Sequence, residues 1–180
     1  KRMHEKVKQL VDVPVALAMR YGNPSMMAGL KELQDKGVTE VMLFPLYPQH
    51  AMASTTTILE LAEDLRKKHF PEMTFTIVPA FYNKPDYIKN LADSIKGHLA
   101  DFEYDHLLFS YHGIPERHIR KTDITKSHCK IDGSCCNTPS PAHEFCYRHQ
   151  CYETTKQVVK LLGIPEGKYS QTFQSRLAGD

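Results

Sequence analysis

The 180-residue sequence has no tryptophan and no run of 18 apolar residues, so no transmembrane helix is expected. It has no GxGxxG segment and no P-loop, which disfavours a nucleotide enzyme. It has no CxxC pair, which excludes a zinc ribbon and a thioredoxin-like redox motif. It has no excess of one charge: 23 basic and 21 acidic side chains leave a net charge of +2. Neither nucleic acid nor an anionic membrane surface is therefore indicated as a partner. Lys1-Arg2-Met3-His4 is followed by no apolar signal core, so a cytoplasmic location is the default expectation. With 41% hydrophobic and 24% charged residues, the chain reads as a soluble globular protein with one good core or two small ones.

Apolar runs alternate with helical periods. Val13 to Gly22 reads as a buried, doubly covered strand, and the helix begun at Asn23-Pro24-Ser25 runs to Lys36 and stops at Gly37. Glu40 to Tyr47 reads as a second strand, followed by a loop at Pro48-Gln49-His50. A helix then carries Ile58, Leu59, Leu61, Ala62 and Leu65 on one face. Thr74 to Pro79 reads as a strand, Lys84 to Leu99 as a helix, and His106 to His112 as a strand. From Glu116 to about Pro141 the apolar period is lost, and this stretch reads as a long loop. A helix from about His143 to Leu162 and a strand from Tyr169 to Ser175 follow. Strands alternating with helices predict an α/β fold with parallel sheets, whose ligands bind beyond the carboxyl ends of the strands.

Those ends carry the candidate chemistry. His112 closes an apolar strand just before Gly113, and imidazole suits both proton transfer near neutrality and metal ligation. The plainer alternative is a strand-end histidine bonded to a neighbour. Arg20-Tyr21 would clamp a flat anionic ligand, guanidinium on carboxylate and phenol by stacking, or would simply lie on the surface. Five cysteines, Cys129, Cys135, Cys136, Cys146 and Cys151, crowd into one stretch without an export signal. An odd, clustered set points away from a disulfide framework and toward a [2Fe-2S] cluster or a zinc ion, with His128, His143 and His149 nearby. Reduced thiols in a mobile loop are the alternative.

Five motifs recur in order. They are Met19-Arg20-Tyr21-Gly22-Asn23-Pro24; Pro45-Leu46-Tyr47-Pro48-Gln49 with Ser54-Thr55-Thr56; Leu108-Phe109-Ser110-Tyr111-His112-Gly113-Ile114-Pro115; Gln150-Cys151-Tyr152-Glu153-Thr154-Thr155; and Phe173-Gln174-Ser175-Arg176. Together they make the chain resemble ferrochelatases, which insert ferrous iron into a porphyrin in haem synthesis, from about residue 13 to its last residue.

The resemblance implies two Rossmann-like, chelatase-type lobes with parallel sheets flanked by helices, each only partly present, and the porphyrin bound between them. Residues 1–82 would be the C-terminal part of the first lobe and 83–105 a connecting helix region. Residues 106–180 would start the second lobe, with a Cys-rich insert at about 121–145.

It further implies that His112 accepts pyrrole protons or ligates the incoming iron. Arg20, Tyr21 and Ile114 would line the porphyrin pocket, with Tyr47 and Gln49 in a matching loop. A family Glu and a Trp-containing motif beyond the QSR stretch are absent, as is the porphyrin-covering lip. The chain therefore reads as an internal fragment, expected to be inactive or very weak alone. Some microbial members carry a [2Fe-2S] cluster, which raises that expectation above zinc. Cys129, Cys146 and at least one of Cys135 and Cys136 are the favoured ligands, with Cys151 as the spare. The alternatives are a cobalt or nickel chelatase for another tetrapyrrole and a non-catalytic Cys-cluster metal or redox module. Protoporphyrin versus coproporphyrin, the oligomeric state and a peripheral membrane contact of the parent protein stay open at this point.

Overall fold

The computed structural model describes residues 2–174. It is a mixed α/β structure with two small parallel sheets flanked by helices, as a partial chelatase-type fold requires. The chain divides into two compact units, one of Lys1–Leu46 with Ala53–Pro79, the other of Tyr47–Met52 with Ala80–Asp180. Among the described residues no helix is long and apolar enough to cross a membrane.

In the first unit, α1 (Arg2–Lys8) buries nothing, and α2 (Met26–Asp35) carries the main apolar stripe. Ser25 caps α2 by accepting the Ala28 N–H, and Gly37, at φ +73°, ends it where a Cβ would be strained. Strands β1 (Glu40–Leu43) and β2 (Thr74–Ile77) pair in parallel, Val41 opposite Phe75. A π-helical turn at Met52–Thr56 leads into α3 (Thr57–His69). Met26, Leu30 and Leu33 of α2 meet Val41, Ala62, Phe70 and Met73 in the core. The sheet is covered on one face: Val41 is buried while Met42, on the opposite face, is exposed.

The expected strand at residues 13–22 does not form. A parallel strand needs a neighbour to accept its N–H groups, and among the described residues this segment makes only the isolated bridge Met19–Ser25. Instead Ala16 and Ala18 pack against the core, and Gly29 lets α2 approach Leu17-Ala18. A Cβ at Gly29 would lie 3.0 Å from Ala18 Cβ and 3.3 Å from Leu17 O, whereas Gly97 on exposed helix has open space. Gly→Ala in a helix gains up to about 1 kcal/mol in propensity. Overpacking costs about 1–3 kcal/mol. We expect Gly97→Ala to raise the urea unfolding midpoint and Gly29→Ala to lower it. A rise for both would mean that Leu17-Ala18 is not held close to α2.

In the second unit, α4 (Pro85–Leu99) packs Ile88 and Ala92 against Val158 of α6 (Tyr147–Leu162). α4, read from sequence as part of a connecting region, thus contributes to this unit's core. Strands β3 (Leu107–His112) and β4 (Tyr169–Gln174) pair in parallel from Leu107–Tyr169 to His112–Gln174.

The stretch expected to be one long loop contains α5 (Glu116–Lys121) and a 3-10 turn at Ser134–Asn137. α5 buries only Ile119, so it shows no apolar period. A second 3-10 turn, Pro141–Phe145, replaces the start expected for the following helix. Cys146 then turns extended and caps α6.

Candidate functional site

His112 lies at the carboxyl end of β3, where a parallel pair presents its ligand-facing residues. The ladder closes beyond it with Gly113 N–H donating to Gln174 O at 2.6 Å. α6 holds this end in place. Tyr147 Oη donates to His112 O at 3.0 Å, and the Tyr111 hydroxyl bonds Thr155 Oγ1 at 2.9 Å. Phe173 gathers Tyr111, Tyr147 and Tyr152 around itself, with ring centroids 5.9–6.3 Å away. Burial pushes the Tyr111 phenol up to about 12, the Thr155 bond opposing it, so it is a fixed neutral support. The His112 side chain itself is exposed and Ile114 beside it is half-buried.

The Tyr47–His50 segment is held in the same unit. The Phe81 N–H donates to Pro48 O at 3.0 Å, and the Gln49 amide donates to Thr154 Oγ1 at 3.1 Å. His50 N–H donates to Gln150 Oε1 at 2.6 Å, and the His50 ring stands edge-on to Phe145. Burial lowers the His50 pKa. Tyr47 remains 42% exposed.

In the other unit, the Arg20 guanidinium stacks over the Tyr21 ring at 4.7 Å. Tyr21 is 76% exposed. Among the described residues Arg20 Nε is buried with no hydrogen-bond partner. The motif residues Ser175 and Arg176 lie outside the described residues.

The Cys-rich segment corrects the metal expectation. Among the described residues no three Cys, His, Asp or Glu side chains are placed to hold a metal ion. Neither the [2Fe-2S] cluster nor the zinc site expected on Cys129, Cys135, Cys136, Cys146 and Cys151 is supported by the side-chain placement among the described residues. All five are free thiols, and several have local partners. Cys135 Sγ accepts from Lys130 N at 3.2 Å and points its own proton at Lys130 O. Cys146 caps α6, accepting the His149 N–H. The Cys136 thiol hydrogen-bonds Cys146, which lowers the Cys146 pKa and raises that of Cys136. Cys151 is fully buried, pushed up to about 12 by burial, and behaves as a small apolar residue beside Tyr147.

What orders the segment is a carboxylate. Asp123, 7% exposed, accepts the Thr125 N–H and hydroxyl at one oxygen and the His128 and Cys129 N–H groups at the other, at 2.7–2.9 Å. Burial raises its pKa, but these bonds outweigh burial and hold it at about 2. Arg148 clasps the far side, donating to Lys130 O and Ile131 O. His128 and His143 both approach Cys135 O, at 3.0 and 3.1 Å, and His149 bonds Cys136 O at 2.9 Å. His143 stacks on His149 at 3.6 Å, and burial lowers its pKa.

Sequence reasoning quoted Gln150 and Thr154 within a motif but gave them no role. The available signal was a polar pair at i, i+4 on the same stripe as Val158. Asp123 was missed altogether; its signal was the Asp-x-Thr spacing of a side-chain-capped turn.

A family model described as Ferrochelatase matches residues 1–180. A protein named ferrochelatase from Pseudomonas syringae pv. tomato is 44% identical over 164 residues, which is 91% of this chain and 48% of that protein. One of the same name from Opitutus terrae is 41% identical over 169 residues, 94% and 49% respectively. Another, from Pseudomonas fluorescens strain Pf0-1, is 41% identical over 179 residues, 98% and 52%. The chain spans about half the length of the curated relatives it matches.

Proposed function

The chain belongs to the ferrochelatase family, and from that premise we propose that the full-length protein is a lyase that inserts ferrous iron into protoporphyrin IX to form haem. The observation that carries this is the family match over the whole chain; the exposure of His112 at the carboxyl end of a parallel strand supports the reading. Metallation replaces two pyrrole N–H protons by one divalent ion, so a base beside the ring is chemically required. His112 takes that role, accepting a pyrrole proton or ligating the incoming iron. Arg20, with its unpartnered buried Nε, suits a propionate; Tyr21 suits stacking on the macrocycle and Ile114 an apolar contact.

Residues 1–82 belong on this reading to one lobe and 106–180 to the other. A cytoplasmic location is part of it, supported by five unpaired cysteines. The 180 residues alone are expected to be inactive or very weak.

The test is anaerobic metallation of protoporphyrin by ferrous iron, followed by absorbance, with the full-length protein and with the 180-residue chain side by side. Turnover by the full-length protein only is the expected result. A near-normal rate from the short chain would overturn its expected inactivity. Turnover only with cobalt or nickel and another tetrapyrrole would move the protein to a different chelatase reaction.

A further inference from the structure

Gln150 is 0% exposed, and every strong bond its amide makes is to main chain. Its Nε2 donates to His143 O at 3.2 Å and Glu144 O at 2.7 Å, and its Oε1 accepts from His50 N at 2.6 Å. Carbonyls only accept and a backbone N–H only donates, so the amide has one allowed orientation. A planar group with three satisfied bonds fixes three backbone points at once, and a buried amide without them would be costly.

Thr154 repeats the device one turn on. It is 1% exposed; its hydroxyl accepts from Gln49 Nε2 at 3.1 Å and lies 2.9 Å from both Tyr82 O and Gln150 O. Two successive turns of α6 thus grip two successive residues, Gln49 by its side chain and His50 by its main chain. The Gln49 amide, turned to Thr154 and also bonded to Tyr87, is committed to the interior. Tyr47, just before the gripped pair, is left presented.

We propose that Gln150 and Thr154 are positioning residues that hold the Tyr47–His50 segment on α6, so that Tyr47 and not Gln49 meets the porphyrin. This deepens the chelatase reading and rests on it.

The test uses steady-state metallation by the full-length protein, with KM for porphyrin and kcat measured separately. Tyr47→Ala and Gln150→Met are each expected to raise KM about tenfold with kcat within about twofold, since the loss is of binding and not of chemistry. In the double variant the second change should add less than about threefold, because both act on one contact. Hydrogen exchange should show the His50 amide losing protection in Gln150→Met while the Val158 and Val159 amides keep theirs. If Gln150→Met does not fold, Thr154→Val removes the Gln49 grip, together with the hydroxyl's own bond to Tyr82 O or Gln150 O, but keeps the His50 grip, and should raise KM about threefold.

Unchanged KM in a folded Gln150→Met protein would overturn the proposal. So would a Tyr47→Ala protein with wild-type KM, or fully additive effects. If the unaltered full-length protein metallates no porphyrin at all, the chelatase reading has failed instead, and the two failures are distinguishable.

Discussion

Metallation by the full-length His112→Ala protein is expected to fall by a factor of about 10²–10⁴, the usual worth of one positioned acid–base group. The two pyrrole protons must leave before the iron is seated, and Ala offers neither a proton acceptor nor a metal ligand. The fold should survive. The imidazole is exposed, and the bond that fixes this strand end is made by the His112 carbonyl, which Ala retains. Stability should therefore change by less than about 0.5 kcal/mol. Porphyrin titration of the variant should still show binding, so that the loss is one of kcat. A rate within tenfold of the unaltered protein would mean that another group takes the protons, and the role given to His112 would fall.

Asp123→Asn should cost about 2 kcal/mol, the linkage value of a carboxyl moved from near 3.8 to about 2. Both carboxylate oxygens accept; in the variant one becomes an NH₂ facing N–H groups it cannot serve. The sign in pH follows from the depressed value. The stabilisation is complete above about pH 4, is lost as pH falls toward 2, and is absent at every pH in the variant. Hydrogen exchange and limited proteolysis should show residues 124–135 opening while β3 and α6 stay protected. A chelator offers the opposing result. If removing metal opens this segment and Asp123→Asn does not, a metal and not the carboxylate orders it.

Much of the second unit was legible in sequence. The 3.6-residue period of α4 and the apolar run of β3 state their own conformations, because a helix stripe and a strand run depend on neighbours a few residues away. The same locality put His112 at a strand end. It failed for α5, whose single buried residue leaves no period, and for residues 13–22, where an apolar run has no partner strand to pair with among the described residues. Five cysteines at suggestive spacings pointed to a metal, yet spacing along the chain does not say which atoms converge. The bonds around Cys135 come from Lys130, His128, His143 and Arg148, all directed by the folded backbone.

By itself, then, the sequence determined the α/β alternation, the family motifs and the strand-tip histidine, since each is carried by short-range pattern. Only the tertiary structure decided that Gln49 turns inward, that Gln150 grips a residue 100 positions away, and that a carboxylate orders the Cys-rich segment. Such contacts form because folding closes long loops onto buried polar groups that must find partners, and no local spacing records which partners those are.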